Sequence, residues 1–470
     1  VEDPERLAMR SAARNDLEHG GNETSAIGAL VGDRIVRAHL ATMARLNISY
    51  DLLTYEGDIL RLQFWAHAFD ILKERGAVFL QNQGRLAGCW VMRIEEGSEG
   101  GPPAGDESPE PEEPGTHDRE NRREKVIVRS NGVVTYVGKD LANQFWKLGL
   151  LGLDFRYRFF GAQFDGHPLW STTSFDGDAQ APSFGHAKRI YNVIDSRQMY
   201  LQALLSQALR TLDHSREAEN SIHFSYEMVA LSHATARELG YETASEGDAA
   251  RKPFVEVSGR KGLGVKIDDL LDMLTHKASS EVAKRNPGFS PEECDRAGRQ
   301  IAIASIRYFM LKFSRGKLIV FDTEEALSFE GETGPYLQYA VVRANNILHK
   351  LREREGLTEA DVLRALDPAS AGELTDDAGD GAEYSLWAVV LEAARLDEVV
   401  DQVVRSLEFS ALAKYAFGLA QLFNAFYHRY PILNEEDPAR KRWRAAGVAY
   451  FRDQLTRALD VMGIEVPSRM

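Results

Sequence analysis

Residues 328–348 read SFEGETGPYLQYAVVRANNIL. Pro335 suits the first turn of a helix, where its missing N–H is no loss. Tyr336, Tyr339 and Arg343 then recur at i, i+3 and i+7, which lines them along one helix face. That face has two readings, a packing surface between helices or aromatic and cationic groups offered to a ligand. Working outward, DDLLDMLTHKASSEVAKR, QIAIASIRYFMLKF, YSLWAVVLEAARLDEVVDQVVRSL, SALAKYAFGLAQLFNAFYHRY and YFRDQLTRALDVMGI all carry helical periodicity. Only KLIVF interrupts them as a short strand. The carboxyl-terminal third therefore reads as an all-α bundle.

Upstream the character differs. GALVGDRIVRAHLATMARLN (Gly28–Asn47) and ILRLQFWAHAFDILKERGAV read as helices. GCWVMRI and KVIVRSNGVVTYVG read as strands, the second turning at Asn131-Gly132. KRIYNVID (Lys188–Asp195) is mostly apolar, as in a buried strand, and the helix pattern RQMYLQALLSQALRTL follows it. Strands alternating with helices indicate an α/β layer.

The chain has 470 residues, too many for one ordinary domain. With 44% hydrophobic and 27% charged residues it reads as a globular chain without an apolar run long enough to span a membrane. Cys89 and Cys294 are its only cysteines, too few for a disulfide framework or a zinc cluster, so packing is their expected role and no bound metal is expected. Net charge is −15. Between Glu95 and Lys125 stand 11 acidic and 4 basic residues, a net of −7, so nearly half the excess lies in one Pro-, Gly- and Glu-rich insertion. That composition cannot bury apolar area and reads as a disordered loop, inert or regulatory. The remainder is compatible with a nucleic-acid partner.

In FVEVSGRKGLGVKIDDLLDML (Phe254–Leu274), glycines surround Arg260 and Lys261 ahead of a helix pattern. Basic groups on such a loop suit phosphate. It is neither G-x-x-x-x-G-K-[ST] nor G-x-G-x-x-G, and a solvated turn remains the alternative. Asp140 in TYVGKD, four residues after Tyr136, offers a carboxylate beside an aromatic ring. A helix N-cap is the other reading of Asp140, and a core position that of Tyr136. ARKRWR (Ala439–Arg444) is the densest basic cluster, either a solvated face or a phosphate contact.

Four of these stretches, in the same order, resemble the arginyl-tRNA synthetases, which are class I aminoacyl-tRNA synthetases. RSNGVVTYVGKDLA resembles their strand–helix segment with a Tyr-x-x-x-Asp arginine clamp. NVIDSRQMYLQ resembles the strand end whose glutamine reaches the substrate. VSGRKGLGVKIDDLL resembles their Lys-Met-Ser-type loop, although Glu256-Val257 precede Ser258 here. The stretch at 328–348 is similar to the opening of their anticodon-binding domain. The resemblance implies a Rossmann-like class I catalytic domain at 1–266 carrying the insertion at 95–125, a connecting helical region at 267–330, and an α-helical anticodon-binding domain at 331–470. It implies arginine binding by Tyr136, Asp140 and Gln198, ATP contacts from Ser258, Gly259 and Gly262, and catalytic phosphate contacts from Arg260 and Lys261. Tyr339, Tyr427 and Met470 would meet tRNA. ATP with Mg²⁺, L-arginine and an arginine tRNA would be the substrates of a monomeric cytoplasmic ligase.

One family element is not found. No His-x-Gly-His occurs, the nearest fragments being His19-Gly20-Gly21, Gly166-His167 and Gly185-His186. The expectation is an incomplete catalytic domain, truncated at the front, that cannot form arginyl-adenylate alone. A non-catalytic tRNA- or partner-binding paralogue is the alternative.

Overall fold

The computed structural model describes residues 3–94, 124–241, 253–255, 264–364, 385–430 and 432–470. Most of the acidic insertion and the loop carrying Ser258, Gly259, Arg260, Lys261 and Gly262 lie outside the described residues. The chain divides into two compact units, Val1–Tyr226 and Glu227–Met470.

The first unit runs α1 (Pro4–His19), α2 (Glu23–Arg45), β1 (Leu52–Leu53), α3 (Glu56–Arg61), α4 (Phe64–Glu74), β2 (Phe79–Leu80), β3 (Trp90–Arg93), β4 (Glu124–Val128), α5 (Tyr136–Lys147), β5 (Arg156–Ala162), β6 (Pro168–Thr173), β7 (Ile190–Asp195), α6 (Met199–Thr211), α7 (Ser215–Asn220) and β8 (Ser221–Tyr226). β1 pairs with β6 in parallel and β6 with β5 antiparallel. β2, β3 and β4 form an antiparallel sheet, and β7 and β8 a parallel pair. The core lies where α4, α5 and α6 bring together Phe64, Leu72, Leu141, Phe145, Leu205 and Leu209. Each such side chain contributes about 1.5–3 kcal/mol by leaving water.

Three sequence readings change here. The helix expected across Ile59–Val78 is two helices, because Gln63 adopts a left-handed conformation (φ 60°) between them. The turn puts Phe64, Trp65, Ala68 and Leu72 of α4 into the core. β7 is not buried on both faces: Ile190 and Asn192 point inward, whereas Tyr191 and Val193 are exposed. After β4 the chain does turn at Gly132 (φ 84°), yet only Val128 and Val134 pair across the turn. Tyr136 then starts a helix, so TYVG is not strand.

The second unit runs β9 (Val229–Leu231), α8 (His233–Glu238), α9 (Ile267–Arg285), α10 (Pro291–Leu311), β10 (Ile319–Phe321), α11 (Thr323–Leu327), α12 (Gly334–Glu355), α13 (Glu359–Arg364), α14 (Leu386–Ala394), α15 (Leu396–Ser406), α16 (Ser410–Arg429) and α17 (Pro438–Val461). β9 and β10 pair in parallel. α12 starts as its sequence demands, with Pro335 in the first turn and the Thr333 hydroxyl accepting from the Tyr336 N–H at 3.2 Å. Leu337, Val341, Leu419, Phe423, Phe426, Phe451 and Leu455 form the centre of the bundle. The single helix expected across YSLWAVVLEAARLDEVVDQVVRSL is divided at Arg395 into α14 and α15.

Candidate functional site

In the first unit, the short turn between β4 and α5 decides what α5 presents. The Thr135 hydroxyl donates back to the carbonyls of Val126 and Ile127 at 3.0 and 3.1 Å, tying the helix start to the strand. Thr135 occupies the N-cap position, so Asp140 lies inside the helix and the cap reading of Asp140 falls. Tyr136 is 45% exposed, which removes its core reading. One turn apart, Tyr136 and Asp140 share a side of α5.

Asp140 is half-buried, and among the described residues it has no hydrogen-bond or ion-pair partner. Burial raises its pKa to about 6, the nearby Glu56 carboxylate pushes the same way, and Lys147 opposes. Lys147 is itself lowered by burial. Next to Asp140 in sequence, Lys139 bridges α1 and α3, with Nζ 2.8 Å from Glu18 and 3.1 Å from Glu56. A half-buried carboxylate under like-charge pressure favours a cation that arrives with hydrogen-bond donors. Arginine's planar guanidinium, with five donors and no acceptor, meets that requirement.

β7 ends in a 3₁₀ turn, Ser196–Gln198, where Arg197 donates through Nε and Nη2 to Asp195 at 2.9 and 2.8 Å. This pairing holds the Asp195 carboxyl below the usual range. Gln198 closes the turn, exposed, at the carboxyl end of the strand. Two residues later the Tyr200 hydroxyl meets that of Tyr136 in a hydrogen bond, which joins the starts of α5 and α6. Beneath, Gln144 donates to Ser221 at 2.8 Å and Asn192 to Gln202 at 2.9 Å, fixing α5 and α6 against the parallel strands. Tyr136, Asp140 and Gln198 therefore belong to one neighbourhood of the unit. Sequence reading missed Glu56 and Tyr200. Glu56 looks like an ordinary first-turn acid, and its neighbour Asp140 lies far along the chain.

In the second unit, the α12 face is organised by Arg343. Its guanidinium lies 4.6 Å from the Tyr339 ring centroid and 5.9 Å from that of Tyr427. It donates to the Asn424 side chain at 2.5 Å and to the Tyr339 hydroxyl at 3.1 Å, while Asn424 donates to the Tyr336 hydroxyl at 2.9 Å. Tyr339 remains 36% exposed. Tyr339 and Tyr427 are thus brought together, whereas Met470 packs elsewhere, against the cluster of Ala278, Val282, Cys294, Ala297 and Ile301. Within ARKRWR, Arg444 is buried and paired with Glu435 at 2.5 Å, and Lys441 is paired with Glu355 at 2.7 Å. Arg440 and Arg442 are the exposed cations of that cluster. Among the described residues no cluster of His, Cys, Asp and Glu could hold a metal ion, and no helix is long and apolar enough to cross a membrane.

Residues 337–470 match the model of the DALR anticodon binding domain. Over 97% of its length the chain is 32% identical to an arginine–tRNA ligase of Thermococcus sibiricus, covering 63% of that protein. Against an arginine–tRNA ligase of Deinococcus radiodurans it is 32% identical over 93% of this chain and 64% of the relative. The arginyl-tRNA synthetase of Thermus thermophilus superposes on the whole chain with a TM-score of 0.72 and 29% identity, covering 68% of that structure. The chain is thus similar, over nearly its whole length, to proteins named arginine–tRNA ligase or arginyl-tRNA synthetase. Its architecture is that of a class I synthetase, a Rossmann-like α/β portion followed by an all-α anticodon-binding bundle. It spans a little under two thirds of the curated relatives' length, 63% for the T. sibiricus protein.

Proposed function

We propose that this chain supplies the arginine pocket and the anticodon-reading bundle of an arginine–tRNA ligase. The observation that carries the reading is Asp140, a half-buried carboxylate without a partner among the described residues, with Glu56 and Tyr136 beside it. In the reaction, the carboxylate of arginine attacks the α-phosphate of ATP and pyrophosphate leaves. A ribose hydroxyl of the tRNA's terminal adenosine then takes the arginyl group, releasing AMP. Neither step needs a protein nucleophile, so positioning and stabilisation of phosphate charge provide the acceleration. In this reading Asp140 and Glu56 receive the guanidinium, Tyr136 offers its ring face and Gln198 orients the substrate from the strand end. Arg260 and Lys261, with Ser258, Gly259 and Gly262, contact the phosphates of Mg²⁺–ATP. Tyr339 and Tyr427 stack on anticodon-loop bases, and Met470, packed apart from them, would meet the RNA at a separate point. The protein acts as a cytoplasmic monomer, with domains at 1–266, 267–330 and 331–470.

None of the twelve histidines stands in a His-x-Gly-His pattern. On that ground the 470-residue chain by itself does not form arginyl-adenylate. The same observation favours a second reading, a non-catalytic tRNA- or partner-binding paralogue. Calorimetry tests the first reading: L-arginine binds the chain, and Asp140→Asn weakens that binding far more than it weakens ATP binding. An arginine affinity untouched by Asp140→Asn would reject the pocket.

A further inference from the structure

Near Asp140 the starts of α5 and α6 are aromatic. Tyr136 opens α5, Tyr200 lies in the first turn of α6, and their hydroxyls are hydrogen-bonded. Lys125 of β4 lies over both rings, its Nζ 5.9 Å from the Tyr136 centroid and 5.0 Å from that of Tyr200. Both distances fall within the roughly 6 Å over which a ring face attracts a cation. Two rings from different elements, locked to each other and facing one ammonium, form a seat for positive charge. A guanidinium fits such a seat better than an ammonium does, because it is planar, more weakly hydrated and able to stack. Asp140 lies one turn beyond Tyr136 on the same side of α5, within reach of a cation held there.

We propose that the Tyr136–Tyr200 pair is a cation seat whose resident occupant is Lys125, and that a guanidinium ligand binds by displacing that ammonium. This rests on the reading of the Asp140 pocket as an arginine site, and adds Tyr200 and Lys125 to its specificity. Lys125 is an internal competitor, so the measured affinity is reduced by the fraction of time the seat is filled. Tyr200 doubles the aromatic surface and favours a planar cation, which discriminates L-arginine from L-lysine.

The test is a set of arginine titrations on the full chain. Lys125→Met keeps the length and apolar stem of the side chain and removes its charge. It tightens L-arginine binding roughly three- to tenfold, since the ring faces no longer hold a competing ammonium and the repulsion between Lys125 and the ligand is removed as well. Tyr200→Leu weakens arginine and, in the double variant, cancels the gain from Lys125→Met. A residue that merely supported the fold would show neither the tightening nor the cancellation. Unchanged or weaker binding by Lys125→Met overturns the proposal. Asp140→Asn separates the two readings. Loss of arginine binding in Asp140→Asn, with no response to Lys125→Met, overturns the seat alone. Tightening by Lys125→Met with an indifferent Asp140→Asn supports the seat and rejects the role of Asp140. A readout that needs no arginine is the ¹³Cε resonance of Lys125. Over two rings it is shifted by ring currents, and Tyr200→Leu relieves the shift. An unshifted resonance in the wild-type chain overturns the seat whatever arginine does.

Discussion

At the scale of the residue, Asp140 ties pH, stability and ligand affinity together. Its pKa in the folded chain, about 6, lies above the ordinary 3.8. Between those values the unfolded chain has released a proton that the folded chain still holds, so raising the pH lowers stability across that window and the loss persists above it. A displacement of that size corresponds to an upper limit of about 3 kcal/mol. Asp140→Asn removes the cost, so the variant unfolds at higher urea than wild type at pH 7 and at the same urea near pH 3.5. Arginine binding runs the other way, because a guanidinium needs the ionised carboxylate. Affinity for L-arginine in the wild-type chain falls as pH drops through about 6, while in Asp140→Asn it is weak at every pH. Calorimetry between pH 5 and 8 checks the slope, and a flat wild-type profile would remove Asp140 from the pocket. Tyr136 and Asp140 were legible through the resemblance of RSNGVVTYVGKDLA to a Tyr-x-x-x-Asp segment, although periodicity alone placed Tyr136 in a strand. Glu56 was not, since its approach to Asp140 depends on how α3 packs beside α5.

At the scale of the element, α12 shows why its opening sequence is restricted. A Cβ on Gly334 would stand 2.2 Å from the backbone oxygen of Ala304 on α10, against main chain that cannot swing aside. Gly334→Ala therefore destabilises the bundle by about 1–3 kcal/mol, the usual cost of overpacking, with urea unfolding as the readout. On the same helix, Arg343→Ala removes the group between Tyr339 and Tyr427 and leaves two rings free to reorient. Filter binding with arginine tRNA shows about a tenfold weaker complex while the melting temperature changes little. A large loss of stability with unchanged RNA affinity would return that face to simple helix packing. The all-α character of this unit was readable from long periodic stretches. The division at Arg395 was not, because an apolar period continues through α14 and α15. In the first unit, β5 escaped notice because a half-exposed strand such as Arg156–Ala162 lacks a continuous apolar run, and β6 because its buried positions include Ser171, Thr172 and Thr173. The break at Gln63 is equally silent, as nothing about glutamine announces a left-handed residue.

At the scale of the whole molecule, substrate recognition and phosphate activation place different demands on the chain. In the proposed reading, recognition uses one carboxylate site and one aromatic–cationic face, around Asp140 in the first unit and Arg343 in the second. Activation needs charge arranged around the triphosphate, and the sequence offers the glycine loop at Ser258–Gly262 without a His-x-Gly-His turn. The 470-residue chain is therefore expected to bind L-arginine and arginine tRNA yet to show no arginine-dependent exchange of pyrophosphate into ATP. Its RNA binding is expected to be only moderately sensitive to salt. Net charge is −15, Arg444 and Lys441 are engaged in ion pairs, and Arg440 and Arg442 are the cations that cluster leaves exposed. With about two phosphate contacts from that cluster, the slope of log K against log salt is about −1.5 to −2. A slope of about −6 or steeper would mean a much wider basic surface than these residues provide. Exchange activity in the purified chain would show that activation proceeds without the histidine turn, and would set aside the non-catalytic reading with it.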